Sequence, residues 1–165
     1  MNGYSIWLDL EKESRTNYRN IISTLSRRLN SPLFEPHCTV YGHMKMDLGE
    51  LKTFISKIIL KSNQFSTSAK KIKVGSSYFK SLSVKVDCNP KLQDLNNRCK
   101  SRFSLVKKYK FDPHISLAYG LFKTEKIHNV MKNIIIPKHV VFTGLSIVKT
   151  GKDVEKWETV FQRKF

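Results

Sequence analysis

Hydrophobic and polar positions alternate along this chain with two different periods, which predict strands and helices in turn. Apolar side chains at every second position over Tyr4 to Leu10 predict a β-strand. Apolar side chains at every third or fourth position over Glu13 to Leu29 predict an amphipathic α-helix. The segment Asn30-Ser31-Pro32 ends this helix, because the residue before a proline disfavours helical backbone angles.

The same periods assign most of the remaining chain. Further helices are expected at Leu48 to Lys61, Pro90 to Phe103 and Thr124 to Asn133. Further strands are expected at Phe65 to Val74, Tyr78 to Asp87, Lys138 to Thr150 and Val154 to Arg163. The last two strands are joined by a hairpin turn at Gly151 to Asp153.

A short motif, Pro-His-x-(Thr/Ser), occurs twice, and each copy has the composition of a strand. Residues 36–42 read PHCTVYG and residues 113–120 read PHISLAYG. Side chains two positions apart on a strand share a face, so His37 projects with Thr39 and His114 projects with Ser116. If the fold brings the two copies face to face, two imidazoles and two hydroxyls surround one pocket.

The order of elements after each motif is also repeated, as helix, strand, strand. This repeat predicts an α+β fold with two interleaved lobes related by a pseudo-twofold axis. Each lobe has an antiparallel sheet with helices outside, and the motif strands lie side by side at a central cleft. No linker rich in Gly, Pro or Ser divides the chain, so residues 1–165 are expected to form a single domain.

Two histidines beside two hydroxyls suit the cleavage of a phosphoester. One imidazole takes a proton from the attacking oxygen and the other gives a proton to the leaving oxygen. An unperturbed pKa of roughly 6.5 suits imidazole to both tasks, and hydroxyls hydrogen-bond the phosphate oxygens. A zinc site needs three or four protein ligands. Cys38 cannot join His37 in such a site, because it points to the opposite face of the strand. We therefore expect no metal and no cofactor.

The formal net charge of +17 at pH 7 predicts a polyanionic partner, with nucleic acid before an anionic membrane surface. A lysine-rich genome that places surplus lysine on solvated faces would produce the same charge. The stretch Arg98 to Lys110 has six cations and no acidic residue immediately before the second motif. These cations, among them Lys107, Lys108 and Lys110, are expected to reach the mouth of the cleft.

Cysteine content and hydropathy bear on the compartment. Three cysteines, Cys38, Cys88 and Cys99, have no CxxC spacing and are expected to be free thiols in a reducing compartment. No signal peptide is visible, and no run approaches the roughly 20 apolar residues of a membrane span. We expect a monomer in the cytoplasm, with a nuclear location left open.

The motifs resemble those of the two-histidine (2H) phosphoesterase superfamily, and most of all its cyclic phosphodiesterase branch. The likeness rests on SPLFEPHCTVY (31–41), GSSYFK (75–80) and FDPHISLAY (111–119), with weaker matches at YSIWL (4–8) and WETV (157–160). The resemblance implies a metal-independent phosphodiesterase that opens a ribose 2′,3′-cyclic phosphate, or the cyclic phosphate of ADP-ribose, to the 2′-phosphate. It implies His114 as the base, His37 as the acid, and Thr39 and Ser116 on the phosphoryl oxygens.

Several aromatic residues are further candidates. The resemblance implies that Tyr119 contacts the phosphate, although five positions after His114 it needs a bulge or a strand end to face the pocket. Simple alternation aims Tyr41 at the pocket. Trp7, Tyr78 and Phe79 are candidates for stacking on a base, and a place in the core is the alternative for each aromatic residue. The remaining histidines, His43, His128 and His139, stand outside the repeated pattern.

Two other functions remain open. Some superfamily members act on RNA 3′ ends or on 2′-5′-linked oligoadenylates, and the basic stretch would suit these longer ligands. A non-catalytic basic RNA-binding module would explain the charge, but such a module has no need of paired imidazoles.

Overall fold

The computed structural model describes residues 3–165, in which strands and helices alternate along the chain. The strands are β1 Gly3–Leu10, β2 His37–Met44, β3 Phe65–Val74, β4 Leu82–Val86, β5 His114–Ala118, β6 His139–Thr150 and β7 Glu158–Lys164. The helices are α1 Lys12–Leu29, α2 Leu48–Ile59, α3 Pro90–Phe103 and α4 Thr124–Met131. None of these helices is both long enough and apolar enough to cross a membrane.

Two of the predicted strands begin later than expected. Tyr78–Lys80 and Val154–Lys156 each form a short 3₁₀ turn, and strands β4 and β7 start only after these turns. The first turn closes when the Lys80 N–H donates to the Ser77 carbonyl at 3.0 Å. A turn of three residues is too short to show a period of its own, so the sequence pattern did not separate it from the strand that follows.

The strands form one antiparallel sheet in the order β1-β2-β5-β4-β3-β6-β7. Strand β1 also pairs with β6, and this pairing closes six strands into a ring, with β7 attached outside to β6. Exchanging β1 with β4, β2 with β5, and β3 with β6 leaves the ring unchanged. The predicted pseudo-twofold relation and α+β class are confirmed, with the two lobes sharing one continuous sheet.

Packing between the lobes brings the motif strands together. Strand β2 pairs with β5 through Cys38 and Ile115, both fully buried. Helix α1 packs on β5 and helix α3 packs on β2, so the helix that precedes each motif strand covers the other motif strand. The inner face of α1 is the apolar stripe that the sequence predicts, and it includes Tyr18, Ile22 and Leu25. The two Pro-His motifs therefore lie side by side, as expected.

Both motif strands contain a β-bulge directly after the His-x-(Thr/Ser) residues. Strand β2 has one more residue than β1 at Val40, and β5 has one more residue than β4 at Leu117. An extra residue in one strand reverses the face to which the following side chains point. Beyond the bulges, Tyr41 therefore turns into the core and Tyr119 turns toward the cleft.

A buried amide stabilises the first bulge. The Asn96 side chain on α3 donates to the Val40 carbonyl at 2.9 Å, which satisfies a backbone oxygen at the bulge. We expect Asn96→Ala to lower the free energy of unfolding by about 1–3 kcal/mol, because the carbonyl is left buried and unpaired. Chemical denaturation would measure this. The control is Asn97→Ala, an exposed asparagine on the same helix. Equal losses in the two variants would contradict this account.

Candidate active site

A cavity of about 140 Å³ opens where β2 and β5 meet. Its wall includes both motif pairs, His37 with Thr39 and His114 with Ser116. The alternation of each strand turns these side chains away from the buried Cys38 and Ile115. The fold therefore brings two imidazoles and two hydroxyls to one pocket, the arrangement expected from the sequence.

Both imidazoles are held in the same tautomer by the backbone. The Nδ1 atom of His37 lies 2.6 Å from the Glu35 carbonyl oxygen, and that of His114 lies 2.5 Å from the Asp112 carbonyl oxygen. A carbonyl oxygen only accepts, so each Nδ1–H donates. In the neutral form each Nε2 therefore has the free lone pair.

The ring of Trp7 covers one face of the His37 imidazole. The two rings are stacked with centroids 3.4 Å apart and planes 6° apart, and Trp157 meets His37 edge-on at 6.2 Å. Trp7 lines the cavity, but this face is already occupied and is not free to stack on a base. Trp7 therefore contacts His37 with one ring face, and its contact with a base stays a prediction.

Burial and nearby cations disfavour protonation of both imidazoles. Desolvation lowers the pKa of His37 to about 3, and repulsion from His114 acts in the same direction. Desolvation lowers the pKa of His114 to about 4, with added repulsion from Lys80, Lys85 and Lys73. At neutral pH both imidazoles are therefore neutral.

A carboxylate holds two of these cations in place. Asp112 binds the Lys80 ammonium at 3.3 Å and also pairs with Lys85. Lys85 lies directly opposite His114 across β4 and β5. Sequence reasoning missed this arrangement, although Asp112 precedes the motif histidine by two residues and Lys80 ends the GSSYFK segment.

Tyr119 lies in the cavity wall beyond the end of β5. It lines the cavity together with Ser116, and its ring stacks on Phe34 with centroids 4.1 Å apart. Burial raises the pKa of the phenol, so it stays protonated and able to donate. The sequence required a bulge or a strand end before Tyr119, and the structure has both.

The predicted orientation of Tyr41 is wrong. Its ring is buried against Phe103 and Tyr109, and its hydroxyl donates to the Lys107 carbonyl. It does not line the cavity. The physical reason is the bulge at Val40, which interrupts the alternation that aimed Tyr41 at the pocket.

The remaining predicted contacts separate into two groups. Phe79 and Lys110 line the cavity, and the Phe79 ring lies 5.5 Å from Tyr119. Tyr78 lies outside the cavity wall and packs edge-on against Phe79, and its contact with a base stays a prediction. Lys107 and Lys108 are exposed and also lie outside the wall.

Other residues of the wall were not singled out from the sequence. They are Ser5, His43, Lys80, Tyr109, Thr150 and Trp157. For Ser5 a signal was available, since it lies two positions before Trp7 and therefore on the same face of the strand. For the others the contact depends on where loops and bulges place the chain. Among residues 3–165, no group of three His, Cys, Asp or Glu side chains is arranged to hold a metal ion.

Comparison with known proteins agrees with this architecture. Residues 1–165 match the family model described as cyclic phosphodiesterase-like protein. Among curated proteins, the chain is similar to a cyclic phosphodiesterase of Arabidopsis thaliana. The two are 22% identical over 166 residues, which cover 95% of this chain and 92% of that protein.

Similar folds are found among solved structures. LigT of E. coli complexed with 3′-AMP has a TM-score of 0.65 at 14% identity, covering 99% of this chain and 98% of LigT. LigT has also been solved with ATP. TT0787 of Thermus thermophilus has a TM-score of 0.69 at 12% identity, covering 99% and 97% of the two chains. At these identities the likeness shows the fold. The family match across all 165 residues shows that this chain belongs to the cyclic phosphodiesterase-like family of the 2H phosphoesterases, a membership that supports a phosphodiesterase and hence a hydrolase.

Proposed function

We propose that the protein is a metal-independent phosphodiesterase that hydrolyses the 2′,3′-cyclic phosphates of nucleotides or RNA ends to the 2′-phosphate, or the analogous cyclic phosphate of ADP-ribose to the equivalent monoester. One observation carries the proposal. His37 and His114 each have Nδ1 tied to a backbone carbonyl, and both line one cavity with Thr39 and Ser116. Nε2 is then the nitrogen available for proton transfer on each ring.

The proposed reaction has a single displacement at phosphorus. His114 takes a proton from water as the water oxygen bonds to phosphorus. The bond from phosphorus to the 3′-oxygen breaks, and His37 gives that oxygen a proton. Thr39 and Ser116 hydrogen-bond the non-bridging oxygens as their charge increases, and the phenol of Tyr119 adds a donor beside Ser116.

This order is the one that the resemblance implies, and bound substrate has to establish it, because the pKa of His37, about 3, is no higher than that of His114, about 4. Lys80 and Lys85 oppose protonation of His114, which favours the neutral form that a base needs. The same lysines attract the phosphate. Once bound, its negative charge stabilises the imidazolium of His37, so the acid is loaded with substrate present.

RNA ends and 2′-5′-linked oligoadenylates are a second substrate class. Lys107 and Lys108 are exposed on the segment that leads to Lys110 at the cavity wall, where an oligonucleotide tail could follow them. The paired imidazoles favour catalysis over a purely RNA-binding role.

The first prediction concerns the two histidines. His37→Ala and His114→Ala are each expected to lower kcat on a 2′,3′-cyclic mononucleotide by about 10²–10⁴-fold, the usual contribution of a general acid or base. The double variant should be scarcely worse than either single variant, because the two groups act as a unit. His128→Ala and His139→Ala are matched controls, since both histidines are exposed and lie outside the cavity.

A second substrate separates the two roles. A phosphodiester with a nitrophenolate leaving group needs no proton on departure, so His37→Ala should keep most of its activity on it while His114→Ala should not. Similar losses in both variants would contradict the assigned order. All assays contain EDTA, and activity that appears only when zinc or manganese is added would contradict the metal-independent mechanism.

The pH dependence follows from the lowered pKa values of both histidines. The productive state has one proton on the pair, so kcat/KM should fall as pH rises between about 5 and 8. The profile of kcat should lie at higher pH, because bound phosphate stabilises an imidazolium. Lys73→Gln removes a cation that lowers the His114 pKa, so it should shift the kcat/KM profile to higher pH. A kcat/KM that rises steadily from about pH 5 to 9 would be incompatible with this mechanism.

Replacing Lys107 and Lys108 with glutamine tests the RNA-end proposal. On a cyclic-phosphate-ended oligonucleotide the double variant should have a higher KM and a log–log salt slope smaller by about 1.4, since each phosphate contact on a single strand contributes about 0.7. On a cyclic mononucleotide it should match the wild type. Lys126→Gln with Lys132→Gln makes the same charge change on and beside α4. Identical behaviour of the two double variants would mean that the charge is compositional and the ligand small.

A further inference from the structure

The pseudo-twofold symmetry of the cavity is broken at one position. Counting from the two bulges, Gly42 on β2 is equivalent to Tyr119 beyond β5. A Cβ atom on Gly42 would lie 3.4 Å from both Thr39 Cγ2 and Tyr109 Cε2. Tyr109, from the segment before β5, therefore occupies the space beside Gly42 that corresponds to the position of the Tyr119 side chain at the other motif.

The hydroxyl of Tyr109 is available to a ligand. Its ring packs 5.1 Å from the ring of Tyr41, which fixes the side chain against the core. Within residues 3–165 the hydroxyl has no hydrogen-bond partner, and the residue lines the cavity. Burial raises the pKa of this phenol, so it remains a donor.

His43, next to Gly42, is held in an uncommon backbone conformation. Its φ of 61° lies in the left-handed region, which few residues other than glycine adopt. The His43 N–H donates to Ser5 Oγ at 3.2 Å, and Ser5 Oγ lies 3.0 Å from Thr150 Oγ1. These hydroxyls are thus used in fixing the backbone. The His43 imidazole lines the cavity and has no hydrogen bond within the described chain.

The charge at this end of the cavity has one sign. Lys110 lines the wall, and Lys107 is close enough to lower the pKa of His43 further after burial has lowered it. No Asp or Glu of the described chain lines this cavity. The neighbouring cavity, of about 480 Å³, has Glu35 and Glu155 in its wall and is less suited to an anion.

We propose that Tyr109, His43 and Lys110 form a second phosphate subsite, for a phosphoryl group elsewhere on the nucleotide whose cyclic phosphate is cleaved. This inference rests on the proposed function. Hydrogen-bond donors without a partner, beside a cation and away from carboxylates, are suited to bind phosphate. In a nucleotide, the nearest second phosphate is the one on the 5′-oxygen. Preferred substrates therefore have a 5′-phosphate, a 5′-diphosphate or a 5′-linked chain.

Product-like ligands test the subsite without turnover. Calorimetric titration would compare adenosine 2′-monophosphate with adenosine 2′,5′-bisphosphate on the wild-type protein. The bisphosphate should bind about tenfold tighter or more, because charge-assisted hydrogen bonds are worth about 1.5–3 kcal/mol. Equal affinities, or no affinity for either ligand, would overturn the subsite.

Two variants then locate the second phosphate. Tyr109→Phe keeps the ring against Tyr41 and removes only the hydroxyl, and His43→Gln removes the imidazole. Each should reduce the affinity ratio of the two ligands to within about threefold. His128→Gln, an exposed histidine on α4, should leave the ratio unchanged. A full ratio in both variants would overturn the assignment. If the wild-type protein prefers the bisphosphate but turns over no cyclic phosphate, the proposed function is contradicted and the subsite is not.

Discussion

Pairing of β2 with β5 at Cys38 and Ile115 is the contact on which the rest of the site depends. Both side chains are fully buried, so the core fixes the face to which each strand turns. The residues that flank Cys38 and Ile115 in sequence then face the cleft. The histidines of two distant sequence segments are thereby brought to one cavity. Ring closure through β1 and β6 holds the two strands at this separation, because neither can move without disturbing its other neighbour.

The site combines neutral imidazoles with a fixed positive field. Burial removes charge from His37 and His114, while Asp112 holds Lys80 and Lys85 at one side of the pocket. A bound anion meets ammonium groups that are already in place and imidazoles that it can help to protonate. The proton that an imidazole needs to act as an acid is thus stabilised by the negative charge of the ligand.

The two lobes share a plan, but their differences separate the two histidines. Across the strand pair, Asp9 lies opposite His37 while Lys85 lies opposite His114. Asp9 accepts from Ser146 at 2.7 Å, and burial raises its pKa. The lysine, in contrast, is a half-buried strand neighbour with an ion-pair partner. Unequal neighbours allow two similar motifs to take unequal roles in one reaction.

Local periodicity by itself determined the order of elements, the two Pro-His-x-(Thr/Ser) strands and the face shared by histidine and hydroxyl. These features depend on side chains two to four positions apart, which the chain specifies without distant contacts. Tertiary structure decided the rest. A bulge at Val40 turned Tyr41 inward, and a residue remote in sequence, Tyr109, reached the space beside Gly42. A bulge depends on pairing with a partner strand, and an interlobe contact depends on how the ring closes, so neither has a local signal.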